Sequence, residues 1–209
     1  MSRGGSRPGA RAAARAGGAH VVLIGHRGAG KTTVGRALAR HLGREFHDTD
    51  DAIQAGAGRS IAEIFRQEGE AAFRELECDA IRRAVARPAG VISVGGGALL
   101  RPANRDLLRA AGICVWLRAS VEEHCRRLAA DPRSATLRPR LTDAPAARPE
   151  LEQLLAQREP LYAALAAVTI QTDGRSVDTI VAEIASALRS RPQDSSGAAE
   201  APEAEGRQE

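Results

Sequence analysis

Eight residues near the amino terminus have the types and spacing of a loop that binds phosphate groups. Gly25-His26-Arg27-Gly28-Ala29-Gly30-Lys31-Thr32 follows the P-loop pattern G-x-x-x-x-G-K-[ST], in which backbone N–H groups close around phosphate oxygens. Lys31 is the only lysine among 30 lysine and arginine residues. A compact ammonium on a flexible stem follows the β- and γ-phosphates of a nucleotide better than a planar guanidinium does. The candidate nucleotide-binding residues are therefore Gly28, Ala29, Gly30, Lys31, Thr32 and Thr33.

The sequence on either side of this loop supplies the strand and helix that it needs. His20–Ile24 is a short, apolar run that is typical of a buried parallel strand, and residues 32–42 carry apolar side chains at helical spacing. The N-terminus of such a helix adds its positive end to the phosphate site and places the Thr32 hydroxyl to ligate Mg²⁺. An ordinary glycine-rich turn is the alternative, which this order of elements disfavours.

Further strand candidates alternate with helix candidates along the chain. We expect strands at residues 45–47, 91–94, 113–117 and 168–170, a helix that opens with a capping box at Ser60, a longer helix over about 70–87, and helices from about Ala103, Ser120, Ala147 and Ser176. This alternation predicts an α/β fold with a parallel sheet covered on both faces. Ligand sites of such sheets lie at the carboxyl ends of the strands, which selects residues 25–32, 48–50, 95–97 and those from Arg118 onward.

Two carboxylates follow the second predicted strand. Asp48 and Asp50 would lie on the same side of an extended chain, so that one serves a metal ion and the other a substrate. Capping of the next helix by this acidic cluster, which includes Asp51, is an equally good interpretation. Gly95-Gly96-Gly97 follows the next strand, where many P-loop proteins carry an acidic metal ligand that is missing here. Asp48 is therefore the natural substitute for holding Mg²⁺, directly or through water. The three glycines either admit a ligand right up to the backbone or form a flexible strand-to-helix turn.

Arginines supply the remaining candidates. Arg74 and Glu77 are three apart in a helix and can therefore pair. Either they form an ordinary surface ion pair, or Glu77 holds Arg74 in place so that Arg74 binds a carboxylate of a ligand. Arg158 lies near the predicted end of a helix, where a plain helix-end charge is the alternative. Residues 131–149 carry four prolines together with Arg133, Arg138, Arg140 and Arg148. They suit a mobile cationic lid of the kind that kinases close over a phosphoryl group, with an inert surface loop as the alternative.

Composition limits the remaining possibilities. Residues 1–18 are rich in Arg, Ala and Gly and residues 190–209 are acidic, so we expect disordered tails around one domain at 19–189. A transit peptide is the second interpretation of the first tail. The central region is too mildly basic to predict nucleic-acid binding, and the chain has no apolar run long enough for a membrane span. We expect a cytosolic protein in which Cys78, Cys114 and Cys125 are buried thiols rather than disulfide or zinc ligands.

Taken in order, these motifs resemble those of shikimate kinase over roughly residues 20–187. The resemblance is carried by the P-loop, Asp48-Thr49-Asp50, Ala72-Phe73-Arg74-Glu75-Leu76-Glu77, Gly95-Gly96-Gly97, Arg138-Pro139 and Arg158-Glu159-Pro160-Leu161-Tyr162. It implies a three-layer αβα P-loop NTPase fold with a five-stranded parallel sheet, similar to that of nucleoside-monophosphate kinases. It also implies a monomeric, cytoplasmic enzyme of aromatic amino-acid biosynthesis that uses Mg²⁺ and transfers the γ-phosphoryl group of ATP to the 3-hydroxyl of shikimate.

The resemblance implies a role for each matching residue on the nucleotide side. Lys31 would hold the β- and γ-phosphates, Thr32 would ligate Mg²⁺, and Asp48 would lie in the outer metal shell. Arg138 on the lid would neutralise charge on the γ-phosphoryl group. Arg133 and Arg175 are candidates for stacking on adenine, with an ordinary surface role as the alternative for each.

On the acceptor side, the resemblance implies that further residues bind shikimate and that one of them, Asp50, also takes part in catalysis. Asp50 would hydrogen-bond the hydroxyls and orient or deprotonate the 3-hydroxyl, while Arg74 and Arg158 would clamp the carboxylate. The backbone of Gly95, Gly96 and Gly97 would line the same pocket. The chain departs from the family pattern after Arg138-Pro139, where a frequent leucine pair is missing, and this leaves the lid and the adenine contacts open.

Two other functions compete with this one. A P-loop kinase for another small metabolite, such as a sugar acid or a nucleoside monophosphate, would keep Lys31 and Thr32 but would not need the clamp of Arg74 and Arg158. A ligand-sensing module of a transcriptional regulator would need a DNA-binding domain, which an 18-residue tail of this composition cannot form.

Overall fold

The computed structural model describes residues 18–130 and 147–191. Nearly all of the two predicted tails lies outside these residues. Most of the predicted lid does so too, including Arg133, Arg138 and Arg140.

Within the described residues, five parallel strands form one sheet in the order β2-β3-β1-β4-β5. The strands are β1 His20–Ile24, β2 Phe46–Asp48, β3 Val91–Ser93, β4 Gly112–Arg118 and β5 Val168–Gln171. The predicted parallel sheet is thereby confirmed, and its central strand β1 pairs with β3 on one side and β4 on the other. All carboxyl ends meet at one edge, which brings the segments that follow the strands together.

Seven helices and one short 3₁₀ helix lie between or after these strands in the described part of the chain. They are α1 Lys31–Leu42, α2 Thr49–Ala57, α3 Ile61–Val85, the 3₁₀ helix Ala98–Leu100, α4 Pro102–Ala111, α5 Val121–Ala130, α6 Ala147–Leu165 and α7 Val177–Arg189. The predicted capping box at Ser60 is present, with Glu63 as its partner. Gly69 has a φ of 82° inside α3, so that two helical segments meet there, as the sequence predicts.

The sheet separates two apolar layers. On one face Leu23 packs with Leu38 of α1 and Ile184 of α7. On the other face Val22 packs with side chains of α3, α4 and α6, among them Tyr162. A helix layer on each face of a parallel sheet is the predicted αβα arrangement. None of the helices in the described segments is long and apolar enough to cross a bilayer.

The position of Arg158 in α6 corrects the sequence-based expectation. Pro160 favours a helix end nearby, since proline removes a donor and clashes with the preceding turn. Instead α6 continues to Leu165 with Pro160 inside it. Tyr162 and Leu165 are buried in the core beyond the proline, and this packing holds the helix together past the missing hydrogen bond. Arg158 therefore projects from the body of a helix rather than from its end.

Two helix glycines offer opposite tests of this packing. A Cβ at Gly35 in α1 would collide with the Phe46 ring and lie 3.1 Å from Leu23, whereas a Cβ at Gly56 in α2 would meet nothing within 4 Å. We expect Gly35→Ala to lower the free energy of unfolding by about 1–3 kcal/mol. The same change at Gly56 should raise it by about 0.5–1 kcal/mol through helix propensity. Urea denaturation measures both, and equal effects at the two positions would contradict this packing.

Candidate active site

The P-loop lies between β1 and α1 and is built for an anion. Gly28 and Gly30 have φ values of 79° and 90°, which L side chains rarely adopt, and Gly30 is the N-cap of α1. The first turn of α1 carries no acidic residue, so its positive end is not neutralised locally. Lys31 Nζ donates to the carbonyl oxygens of Gly25 at 2.8 Å and His26 at 2.9 Å. The ammonium therefore lies along the loop where phosphates would bind.

Asp48 joins the P-loop helix to α2. Thr32 Oγ1 donates to Asp48 Oδ2 at 2.8 Å, while Asp48 Oδ1 accepts from the backbone N–H of Asp50 at 3.0 Å and of Asp51 at 3.4 Å. Asp48 is thus the N-cap of α2, and the capping interpretation is confirmed for it. One carboxylate oxygen of Asp48 accepts hydrogen bonds from the N-terminus of α2, while the other faces Thr32. Asp48 can therefore cap the helix and still serve the Mg²⁺ site predicted at Thr32.

The expectation that Asp48 and Asp50 share one side of an extended chain is wrong. The helix starts at Thr49, so Asp50 lies in the first turn of α2 rather than on a strand. The cause is local, because the Asp48 carboxylate captures the N–H groups that an extended chain would leave for the sheet. Asp50 nevertheless reaches the glycine turn, as the contacts of Gly95 show.

The glycine turn, residues Gly95, Gly96 and Gly97, is where the candidate substrate residues meet. A Cβ at Gly95 would lie 2.7 Å from Glu77 Oε1 and 2.9 Å from Asp50 Oδ1. A Cβ at Gly97 would lie 2.6 Å from Arg74 Nη1. Side chains from α2 and α3 therefore approach the turn so closely that a Cβ at position 95 or 97 would force them to shift. The glycines thus let charged side chains come close to the backbone. From the sequence alone, this role could not be distinguished from that of a simple turn.

Arg74 is held by two carboxylates in a buried setting. Its Nη1 donates to Glu77 Oε2 at 2.7 Å, and its Nη2 donates to Glu70 Oε1 at 2.8 Å. Glu77 is 0% exposed, so the surface-pair interpretation is wrong. Burial acts to lower the pKa of Arg74, but the two carboxylates outweigh it and the pKa is raised. Arg74 is therefore a fixed, fully charged guanidinium beside the turn.

Arg158 reaches the same turn from α6. Its Nη1 lies 3.5 Å from the carbonyl oxygen of Gly96, and its Nε is buried without a partner among the described residues. The structure thus brings together Asp50, Arg74, Arg158 and the three glycines, all of which the sequence singled out. Gly96 also lies against the P-loop, because a Cβ there would be 3.2 Å from the backbone nitrogen of Arg27. The nucleotide loop and the cluster of charged side chains are immediate neighbours.

Arg127 of α5 is a site residue that sequence reasoning missed. Its Nη1 donates to the carbonyl oxygen of Gly28 at 3.2 Å, and its Nη2 donates to that of Thr172 at 2.8 Å. Glu123 accepts from its Nε at 2.7 Å. Arg127 therefore ties the P-loop to the end of β5. The one available signal was the spacing of four between Glu123 and Arg127 on a helix that leads to the predicted lid.

Arg175 is placed differently from Arg127. Its Nη1 donates to the carbonyl oxygen of Gln171 at 2.9 Å, and it pairs with Glu183 of α7. The guanidinium thus lies against the last helix, while its contact with adenine stays a prediction. Arg133 and Arg138 lie outside the described residues.

The packing of two buried histidines, His26 of the P-loop and His124 of α5, was also missed. The rings of His26 and His124 pack edge to face, with centroids 5.3 Å apart. Burial lowers the pKa of His26 to about 3, helped by His124 and Arg158, and lowers the pKa of His124 to about 4, helped by Lys31 and Arg127. Both rings are neutral at physiological pH, so they add no positive charge near a loop that already carries Lys31.

Known proteins resemble this chain in sequence and in fold. A family model described as shikimate kinase matches residues 27–189. The chain belongs to the shikimate kinase family. Curated shikimate kinases from Rhodopirellula baltica and Symbiobacterium thermophilum are 43% and 45% identical to it, each over 82% of this chain and over 91% and 97% of their own lengths.

A solved structure supports the same assignment. Shikimate kinase from Acinetobacter baumannii, in complex with shikimate, is 35% identical, has a TM-score of 0.76 and matches 87% of this chain and 97% of its own. The chain is accordingly an enzyme with the P-loop kinase fold and uses ATP as a co-substrate.

Acid should weaken this shikimate kinase fold below pH 6.5. The ordinary histidine pKa of 6.5, which applies to the unfolded chain, exceeds the folded values of about 3 for His26 and about 4 for His124. Below pH 6.5 the unfolded chain therefore takes up protons that the folded chain does not. The free energy of unfolding should fall with a slope that approaches about 1.4 kcal/mol per pH unit for each imidazole, and these two groups add no slope well above that pH.

Urea denaturation between pH 7.5 and 5 measures this slope. His124→Phe should remove about half of it, while the same change at the exposed His41 of α1 should leave it intact. A wild-type stability that stays flat over this whole range would show that the buried pair is not kept neutral.

Proposed function

We propose that this chain transfers the γ-phosphoryl group of ATP to the 3-hydroxyl of shikimate, which gives shikimate 3-phosphate and ADP. The observation that carries this proposal is the meeting of Asp50, Arg74 and Arg158 at a glycine turn that lies against the P-loop. Two guanidinium groups suit a carboxylate, and a carboxylate suits a hydroxyl group. The similar Acinetobacter baumannii enzyme was solved in complex with shikimate, a hydroxylated carboxylic acid.

On the nucleotide side, Lys31 and the loop N–H groups would hold the β- and γ-phosphates. Lys31 Nζ now donates to the Gly25 and His26 carbonyl oxygens, and phosphate oxygens would offer charged acceptors in the same place. The N-terminus of α1 adds fixed N–H donors. Positioning of this kind supplies most of the catalysis in phosphoryl transfer, since there is little covalent chemistry for the protein to do.

Mg²⁺ fits the residues beside Thr32. A hydroxyl and a carboxylate oxygen lie 2.8 Å apart at the N-terminus of α1, and both are hard oxygen donors. Thr32 would ligate the ion and Asp48 would hold it directly or through water. When bound, Mg²⁺ neutralises charge on the β- and γ-phosphates.

On the acceptor side, Arg74 and Arg158 would clamp the carboxylate from α3 and α6, with the backbone of Gly95, Gly96 and Gly97 between them. Asp50 would accept the proton of the 3-hydroxyl, or orient it, while the new oxygen–phosphorus bond forms and the bond to the β-phosphate oxygen breaks. Arg138, which lies outside the described residues, is proposed to neutralise charge on the γ-phosphoryl group from the lid.

The other expectations from sequence stay predictions. These are a monomer, a cytoplasmic location, no nucleic-acid partner, and tails and a lid as assigned above. Neither competing function is favoured by a contact in the described residues. A kinase for a substrate without a carboxylate would leave the buried Arg74–Glu77 pair without a task.

Arg74→Lys should raise the KM for shikimate about 10-fold to 100-fold, because a point charge replaces a planar fork that donates through two nitrogens. The lysine keeps a positive charge beside Glu77, which protects the fold. Arg82→Lys is the matched control on the same helix, since Arg82 is exposed and pairs with Asp79. A coupled ADP-release assay with MgATP and shikimate, run beside quinate, gluconate and AMP, measures both variants. Equal behaviour of the two would remove Arg74 from the substrate site.

Asp50→Asn should lower kcat on shikimate about 10²-fold to 10⁴-fold, since the amide cannot take the hydroxyl proton. The control is Asp51→Asn, the neighbouring acid in the same helical turn, which is exposed and lies 3.3 Å from Arg36. Its kcat should stay within about twofold of the wild type. Wild-type turnover in Asp50→Asn would show that this carboxylate is neither base nor orienting group.

A further inference from the structure

The carbonyl group of Gly96 is held differently from its neighbours in the glycine turn. The carbonyl oxygens of Gly95 and Gly97 accept from the nearby N–H groups of Ala98 at 3.0 Å and Leu100 at 3.1 Å. The Gly96 oxygen instead accepts from α6, a distant part of the sequence. Tyr162 Oη donates to it at 2.5 Å and Arg158 Nη1 lies at 3.5 Å.

Of these two donors, the tyrosine makes the closer contact. A distance of 2.5 Å is at the short end for an O–H···O hydrogen bond, whereas 3.5 Å is beyond the usual range for N–H···O. Tyr162 is 1% exposed and packs on Trp116 with ring centroids 5.7 Å apart, so its hydroxyl is carried on a ring that the core holds in place. Arg158 therefore contributes little to holding this carbonyl and keeps its donors for a ligand.

This hydrogen bond fixes more than one carbonyl group. Glycine is the residue with the greatest backbone freedom, so three in succession do not by themselves define the direction of the peptide planes. In a trans peptide the C=O of Gly96 and the N–H of Gly97 lie in one plane and point in opposite directions. By holding the Gly96 oxygen toward α6, Tyr162 also holds the Gly97 N–H on the opposite side of the turn.

Tyr162 is also tied to Arg158 through the helix. The two residues are four apart in α6, so their side chains lie on the same face of the helix. Both reach the same oxygen atom. The tyrosine makes the closer contact, so it holds this face of α6, which also carries Arg158, against the glycine turn.

We propose that Tyr162 is a positioning residue for the acceptor pocket: its hydroxyl orients the Gly96–Gly97 peptide and sets the distance of Arg158 from it, so that the turn and the guanidinium are both prepared for the substrate. This inference rests on the proposed function, because the roles of Arg158 and Gly97 come from there. Tyr162 acts through these groups and touches no reacting atom.

Tyr162→Phe removes the hydroxyl and keeps the ring on Trp116. We expect the KM for shikimate to rise about fivefold to tenfold, as for the loss of one well-placed hydrogen bond. The KM for ATP should stay within about twofold, because no P-loop contact changes. Calorimetric titration with shikimate alone should show the same loss of affinity. This split between two substrates would not arise from general weakening of the fold.

Leu165→Ala is the matched control. Leu165 lies one turn further along α6 in the same apolar cluster, and truncating it removes packing without touching Gly96. It should lower the melting temperature yet leave the KM for shikimate within about twofold. An equal rise in KM in both variants, or no rise in Tyr162→Phe, would overturn the positioning role.

Arg74→Lys in the same assay separates this inference from the proposed function. If Arg74→Lys raises the KM for shikimate and Tyr162→Phe does not, shikimate remains the substrate and the role of Tyr162 is wrong. If the wild-type enzyme does not turn over shikimate, the proposed function itself fails. If it does, but Arg74→Lys leaves the KM unchanged, only the role of Arg74 is wrong.

Discussion

The site depends on one buried ion pair, that of Arg74 with Glu77. A carboxylate that is fully removed from water is very unfavourable unless a cation and hydrogen bonds replace the lost hydration. Arg74 provides both, and Glu70 and the face of Phe73, 5.3 Å from the guanidinium, complete its surroundings. The pair can approach the strand end only because positions 95 and 97 have no Cβ. Removing Arg74 would take this cation away from a carboxylate that is 0% exposed, so the pair constrains helix, turn and pocket together.

The parallel sheet explains how distant segments meet at this pair. Because the strands run in one direction, β1, β2 and β3 deliver the P-loop, Asp48 and the glycine turn to the same edge. Helices on one face then add Arg74 and Arg158, while α5 ties Gly28 to Thr172 through Arg127. The residues proposed to bind the phosphates and the acceptor are thereby held by hydrogen bonds and core packing, and such preorganisation is the condition for electrostatic catalysis without reorganisation.

Much of this arrangement could be predicted from sequence, where the determinants are local. The P-loop, the strands and the capping box at Ser60 depend on residue type and short spacing. The prediction failed where longer contacts decide the outcome. Pro160 favours a helix end, but buried residues beyond it continue α6.

Two other features lay beyond local sequence reasoning for different reasons. The start of α2 was left open between two interpretations because one carboxylate, Asp48, can serve two neighbours, and spacing alone does not reveal which. The contacts of His26 with His124 and of Gly28 with Arg127 join positions about a hundred residues apart, so no window of sequence contains both partners.

The lone lysine has a consequence for chemical reactivity. The other cationic side chains, apart from histidines, are guanidinium groups, which do not react with reagents that acylate or condense with amines. Apart from the chain's own amino terminus, the ε-amine of Lys31 is the one primary amine that this sequence offers. Acetylation, carbamylation or reaction with an aldehyde therefore has no other lysine side chain to modify. Such damage reaches a side chain at the phosphate-binding loop, and a bound nucleotide would shield the amine from it.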